Sequence, residues 1–184
     1  NGTIQSLTSA NLTVSSPSVV YSTHVQNIGW QADASNGATS GTTGESLRLE
    51  AMKISLSGGS YSGSISYRAH VQNVGWMDLQ SDGAVSGSLG KSQRMEAIQI
   101  QLTGDIAAAY DVYYRVHIQD IGWTAWTSNG KLAGSEGMAK RLEAMEVKLV
   151  KKGDTSLTTG KAYYSAQNTL PFAPTVTYSS HVQN

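Results

Sequence analysis

Three sets of side chains in this sequence combine a tryptophan with polar groups able to bind a sugar. An exposed indole stacks on the apolar face of a pyranose ring, while amide, carboxylate and imidazole groups bond its hydroxyls. Each set holds a histidine, a glutamine, an asparagine or aspartate, and a tryptophan: His24, Gln26, Asn27 and Trp30; His70, Gln72, Asn73 and Trp76; His117, Gln119, Asp120 and Trp123. A fourth tryptophan, Trp126, follows the third set. These residue types indicate carbohydrate contact as one role for the sets.

The same tryptophans have a second interpretation, as core residues. The chain contains one phenylalanine, so the interior needs bulk from other aromatic side chains. A buried tryptophan fills such a space when its N–H reaches a carbonyl. We favour core packing for Trp30, Trp76 and Trp123, with ligand contact as the alternative. Trp126 has no repeated counterpart, and we expect it to be more exposed than the other three.

Metal binding and catalysis are weakly supported. Three histidines on a common axis would hold a metal ion, but in a three-sided domain His24, His70 and His117 lie apart, and each is expected to bond an acid or the backbone. A hydrolase needs two carboxylates roughly 5–10 Å apart, whereas one carboxylate recurs in each repeat. That carboxylate follows an arginine by two residues, which favours an internal ion pair: Arg48 with Glu50, Arg94 with Glu96, and Arg141 with Glu143. We therefore expect no enzyme, no metal and no cofactor.

The composition argues against several classes of partner and site. The 13 basic residues balance the 13 acidic ones, and charged residues make up only 14% of the chain. A nucleic-acid-binding domain carries a basic excess, so none is expected here. No apolar run approaches the ~20 residues of a membrane span. The absence of cysteine excludes disulfides and thiolate sites.

The spacing shows an internal repeat. Trp30, Trp76 and Trp123 follow one another at steps of 46 and 47 residues. A second motif, which includes the letters EA, lies at a fixed distance after each tryptophan, so Arg48, Arg94 and Arg141 each stand 18 residues downstream. The extra residue of the third repeat falls between motifs, where insertions collect at loops. The segments GGSYSGS and GDIAAAYD therefore read as turns.

Both motifs alternate with a period of two, which is typical of half-buried strands. In the first motif Tyr67, Ala69 and Val71 alternate with Arg68 and His70. The second motif alternates likewise through KISL and IQIQL, which argues against a helix there, and no helix is expected elsewhere. Each strand of the second motif, the EA strand, leads through a Gly/Ser turn into the first-motif strand of the next repeat, which we call the HVQ strand. We predict that these two strands form an antiparallel hairpin.

A repeat of this size cannot bury a core alone, so the copies must share one. Closing the third repeat onto the first removes exposed sheet edges. The pattern predicts an all-β, pseudo-threefold, β-prism-like domain, with a β-trefoil as the alternative. We place this domain at residues 17–150, after an N-terminal extension or strand at 1–16. Residues 151–184 are expected to hold a proline-marked linker and the truncated start of a fourth repeat at about Thr175, which could pair with another sheet edge in the same chain or in a neighbour.

The motif Y-x-x-H-[VI]-Q-[ND]-[IV]-G-W, followed by S-[ND]-G and [LQK]-R-[LM]-E-A, resembles the clostridial hydrophobic repeat with tryptophan, the ChW repeat. The resemblance covers about residues 18–150 in three copies. A second tryptophan commonly follows the first by three residues in that family; here Trp126 fits, but Asp33 and Leu79 stand at the matching places. Family members are secreted or cell-surface proteins of Gram-positive bacteria, which implies the same location here.

From the resemblance we expect a binding module rather than an enzyme. The first hypothesis is a lectin-like, adhesive module that binds a polysaccharide or surface glycan with up to three weak sites. The alternative is a structural module that docks another cell-surface protein without binding sugar. This second hypothesis predicts an exposed apolar patch.

Overall fold

The computed structural model describes residues 15–166, and nearly all of their regular structure is β-strand. Each repeat contributes two long strands with three short strands between them. In chain order the elements are β1 (Ser18–Val25), β2 (Gly29–Trp30), β3 (Ala34–Ser35), β4 (Ser40–Gly41), β5 (Leu49–Ser57), β6 (Ser64–Val71), β7 (Gly75–Trp76), β8 (Gln80–Ser81), β9 (Ser86–Gly87), β10 (Met95–Thr103), α1 (Asp105–Ala109), β11 (Tyr110–Ile118), β12 (Gly122–Trp123), β13 (Thr127–Ser128), β14 (Ala133–Glu136), β15 (Leu142–Lys151) and β16 (Tyr163–Ser165).

The two long strands of one repeat pair with each other. β1 runs antiparallel to β5, with Tyr21 opposite Ile54, and β6 pairs with β10 and β11 with β15 in the same way. The prediction that each EA strand pairs with the following HVQ strand is therefore wrong. A period of two identifies the buried face of a strand, but it does not identify the strand's partner. Closing a loop of some twenty residues costs little more than closing a short one, so the nearer strand has no decisive advantage.

The sheets are joined by exchange of short strands. β9 of the second repeat pairs with β5 of the first, and β14 of the third pairs with β10 of the second. β4 of the first repeat pairs with β15 of the third, which closes the circle. The predicted threefold closure is thus confirmed, although short strands carry it. The three sheets are separate and none closes into a barrel, as a β-prism-like domain requires.

A glycine makes each exchange possible. Gly41, Gly87 and Gly134 have positive φ angles of 114°, 129° and 126°. A Cβ atom at Gly87 would lie 2.5 Å from the Cα of Ala51, and one at Gly41 would lie 2.5 Å from the Cα of Ala144. A larger residue at either place would force the strands apart, which explains why alanine recurs in the EA motif.

Tyrosines fill the centre of the domain. Tyr21, Tyr67 and Tyr114 are almost fully buried and belong to one hydrophobic core built from all three repeats. The Tyr67 hydroxyl accepts a hydrogen bond from the Ile54 N–H in the preceding repeat, at 3.0 Å, and donates to the Ala84 carbonyl. The buried Tyr67 hydroxyl therefore links neighbouring repeats, and both of its hydrogen-bonding roles are satisfied.

The expectation that the chain contains no helix is wrong at one place. α1 occupies the segment read as a turn before the third repeat. Ile106 is buried, and its N–H bonds the Ser62 carbonyl at 3.0 Å. The extra residue of this connection is thus absorbed by one helical turn packed against β10 and β11.

Two segments read from the sequence lie largely outside the described residues. Of residues 1–16 only the last two are described, and the fourth-repeat start at 175–184 with its expected strand pairing is not. Residues 151–166 are described, and β16 pairs in parallel with β14.

Replacing Gly41 with alanine should lower the free energy of unfolding by about 3 kcal/mol or more, because the new Cβ collides with β15. Gly44→Ala is the matched control, since its φ is also positive but nothing lies within 4 Å, and it should cost about 1 kcal/mol. Urea denaturation of the two variants measures both values. Equal losses would contradict the proposed role of Gly41 in closure.

Stability should fall above about pH 10. Burial raises the pKa of Tyr21, Tyr67 and Tyr114, and backbone hydrogen bonds only partly oppose it. The unfolded tyrosines lose protons from about pH 10 while the folded ones keep theirs, so each contributes a loss of up to about 1.4 kcal/mol per pH unit until its folded pKa is reached. Urea denaturation between pH 9 and 11 should show a shallower decline for Tyr67→Phe. An unchanged pH profile in that variant would contradict this assignment.

Candidate binding site

Each repeated tryptophan lies on the outer face of its sheet. Trp30 is directly opposite His24 across the β1–β2 pair, so both side chains point to the same face. Trp76 and Trp123 stand opposite His70 and His117 in the same register. Trp30 is 37% exposed and the other two are half-buried. The favoured interpretation as core residues is wrong, because buried tyrosines on the neighbouring long strands occupy the inner face of each sheet.

The asparagine or aspartate of each set shapes a tight turn. Asn27, Asn73 and Asp120 have φ angles of 61–63°, a conformation that these residue types adopt more readily than most. The Ile28 N–H bonds the Val25 carbonyl at 3.1 Å and closes the first of these turns. The turn brings the tryptophan back beside the histidine. These residues therefore have a structural role, and their side chains remain exposed.

Gln26, Gln72 and Gln119 connect the turn to the second motif. Their backbone N–H groups donate to the carbonyls of Arg48, Arg94 and Arg141 at 2.9–3.0 Å. The three glutamine residues are half-buried. They stand directly before the turn residues.

A buried glutamate anchors each histidine. Glu50 lies 2.7 Å from the Arg48 guanidinium and 3.2 Å from the Nδ1 atom of His24. The Nδ1 atom makes no hydrogen bond there, so this is a close polar contact. Glu96 and Glu143 repeat the arrangement with their own arginine and histidine. The predicted ion pairs are confirmed, and each histidine contacts an acid at 3.0–3.2 Å without a hydrogen bond.

The indole rings are held from two sides. His24, His70 and His117 meet their tryptophans edge-on, with ring centroids 5.4–5.6 Å apart. A cation lies over each indole at 4.8–5.2 Å, supplied by Lys53, Arg68 or Arg115. Cation–π contacts of this kind stabilise a ring in one orientation. A ligand at this surface would thus meet a preorganised indole.

Trp126 is more enclosed than expected. Arg115 lies 4.8 Å from its ring centroid and the same distance from that of Trp123, so the guanidinium contacts both indoles. Residues near the C-terminal end of the described chain also contact Trp126, through a bridge to Thr159 and a hydrogen bond from the Gly160 N–H. The prediction that Trp126 is the most exposed tryptophan is therefore wrong, and Trp30 takes that place.

The three surfaces differ in their polar surroundings. Asp33 and Lys53 line a cleft of about 220 Å³ between the first sheet and Gly83 of the second repeat. Lys53 also lies over Trp30, so this cleft borders the most exposed indole. In the third repeat the Lys140 side chain instead donates a hydrogen bond to Asp120 at 2.6 Å, which lowers the pKa of that carboxyl.

Other kinds of site are not seen in residues 15–166. That part of the chain has no group of three or more metal-ligating side chains placed to hold an ion. None of its helices has the length and apolar character to cross a membrane.

The comparisons with known proteins identify the repeat. The family model described as ChW, clostridial hydrophobic W, matches residues 24–58, 70–104 and 117–151, which together make up more than half of the chain. Neither the curated proteins nor the solved structures contain a significant match. Each matched segment begins at the histidine of the candidate site and ends near the end of the second long strand.

Replacing Glu96 with glutamine should lower the free energy of unfolding by about 2 kcal/mol, because the Arg94 guanidinium loses its partner in a largely buried setting. Asp120→Asn is the matched control. It removes an exposed ion pair with Lys140 and should change stability little. Urea denaturation at pH 7 compares the two. If both variants lose the same stability, the glutamate cluster is not the anchor described above.

Proposed function

The chain belongs to the ChW repeat family, and from that premise we propose that it binds polysaccharide at its tryptophan surfaces. The family is one of repeat modules rather than of enzymes, so the function of this chain is most simply one of binding. The observation that carries the proposal is that all three repeated tryptophans lie outside the core, each beside a histidine that contacts a buried glutamate.

The chemistry of the surface suits a sugar. An indole held by a histidine edge and a cation has lost most of its freedom before a ligand arrives, so little further entropy is lost on binding. The amide groups of Gln26 and Asn27 stand on the adjoining turn and are half-buried and exposed, respectively. Together they offer an apolar platform with hydrogen-bonding groups at its side.

The first repeat is the strongest candidate for the main site. Trp30 has the most exposed indole of the three, so it offers a ligand the largest accessible ring surface. Asp33 adds a carboxylate in the bordering cleft, able to accept bonds from sugar hydroxyls. The second and third surfaces, capped by Arg68 and Arg115, would add weaker contacts.

Three weak sites on one domain suit a long polymer. Once one repeat is bound, the others meet the same chain at high effective concentration, so avidity exceeds the affinity of any one site. This arrangement fits an adhesive role at the surface of a Gram-positive cell, or outside it. That location rests on the family resemblance.

Titration with cell-wall and plant polysaccharides should produce a saturable change in tryptophan fluorescence. Trp30→Ala and Asp33→Ala should each weaken binding, the first by at least about tenfold, because they remove the platform and an acceptor. Tyr61→Ala is the control, since Tyr61 is 45% exposed and lies away from the tryptophans in sequence. No fluorescence change across a broad panel of polysaccharides would refute a sugar site at Trp30. An equal loss of affinity in all three variants would refute it too.

Docking of a surface protein is the second candidate. Ile28 and Val74, at the tips of the turns before Trp30 and Trp76, are 53% and 56% exposed. Exposed apolar side chains next to aromatic ones favour a protein contact. This alternative would be supported if the chain bound none of the polysaccharides but captured a surface protein, and if the Ile28→Asp variant lost that capture.

A further inference from the structure

The short exchanged strands each have one edge paired with a long strand and an outer edge turned away from it. In the third repeat β16 occupies the outer edge of β14 and runs parallel to it. The Gly134 N–H donates to the Ala162 carbonyl at 2.8 Å, and the Ala125 N–H donates to the Lys161 carbonyl at 3.2 Å. An extended segment therefore docks on this edge by adding a strand.

In the first repeat a side chain takes the place of that strand. The Gly41 N–H, equivalent to that of Gly134, donates to the Oε1 atom of Gln31. The Nε2 atom of Gln31 in turn lies 3.4 Å from the Gly41 carbonyl oxygen. One amide thus satisfies both backbone groups and blocks the outer edge of β4.

In the second repeat the equivalent edge is open among the described residues. The sheet ends at β9, and no described strand pairs with its outer edge. Met77 stands where the first repeat has Gln31, and a thioether cannot replace the amide. By equivalence with Gly41 and Gly134, the Gly87 N–H points outward from this edge.

The side chains around the open edge are apolar and exposed. Leu79, Val85 and Leu89 are 52%, 42% and 43% exposed. Their counterparts in the first repeat, where Gln31 blocks the edge, are polar: Asp33, Thr39 and Thr43. Two of their counterparts in the third repeat are Trp126 and Leu132, which are half-buried. The second repeat therefore keeps an apolar rim at an edge that nothing described occupies.

We propose that the outer edge of β9 docks an extended segment of a partner protein, added parallel to the strand. The occupant of the third repeat indicates its chemistry. Ala162 is only 4% exposed, so a small residue fits there, and Tyr163 follows it opposite Gly134. Lys161 lies beside Ala125, whose place in the second repeat is held by the acidic Asp78.

The partner segment therefore carries a basic, a small and an aromatic residue in that order. The basic residue meets Asp78, the carbonyl of the small residue accepts the Gly87 N–H, and the aromatic residue stands opposite Gly87 beside the leucine and valine rim. Backbone hydrogen bonds supply affinity in this mode, and the side chains supply specificity. The chain's own segment of this kind already occupies β14, which is why the partner is a different protein.

The test uses a synthetic peptide with the sequence of residues 157–165, titrated into the isotope-labelled full chain and followed by amide NMR. Binding should shift the amide signals of residues 85–89 to saturation. Met77→Gln should weaken binding by at least about tenfold, because it recreates the blocking amide. Gln31→Met is the matched variant and should open a second, weaker site at Gly41.

A charge reversal makes the test independent of folding effects at Met77, which packs partly against the core. Asp78→Lys should weaken binding of the peptide. A peptide with glutamate in place of its lysine should restore binding to that variant. Shifts confined to residues 133–136 would mean exchange at β14 and would overturn the proposal. Dimerisation without peptide that Met77→Gln abolishes would identify a second copy as the occupant and would overturn it too.

Discussion

The domain depends on close backbone contact between neighbouring repeats. Each sheet is completed by a two- to four-residue strand from the next repeat, and that strand approaches so closely that only glycine fits against the alanine of the long strand. Because β4 of the first repeat completes the sheet of the third, every repeat in the ring receives a short strand from a neighbour. The shared tyrosine core then binds the three sheets into one cooperative unit.

The two faces of the first long strand differ in their contacts: the inner face builds the core, and the outer face carries the proposed binding surface. Tyr67 points inward and bonds the preceding sheet, whereas His70, three residues on, points outward to Trp76 and Glu96. Strand alternation alone enforces this division. The backbone of this glutamate also bonds the exchanged strand: in the first repeat the Glu50 carbonyl accepts a hydrogen bond from the Ser88 N–H at 2.7 Å. The residue that contacts the outer histidine therefore also takes part in the exchange between repeats.

The three copies differ at their solvent-exposed tryptophan surfaces and at the outer edges of their short exchanged strands. The first repeat keeps an exposed indole near a cleft lined by Asp33 and Lys53, and it blocks its strand edge with Gln31. The third stacks a second tryptophan on Arg115 and receives β16. The second has neither device. A common scaffold therefore presents three different surfaces, which suits a module that holds several ligands or several parts of one.

Much of the fold followed from the sequence, because spacing and alternation are local properties. The repeat length, the strands, the ion pair within Arg94-x-Glu96 and the need for closure could all be read directly. Strand partners could not, since period-two alternation identifies the buried face of a strand but not its pairing partner. The outward position of Trp30 could not either, because β2 is two residues long and shows no alternation. The sequence shows a glycine at the position of Gly87 in every repeat. Its structural role became clear only from its close contact with Ala51. Tertiary contact decided these features because the distance between two backbones is set by both chains at once.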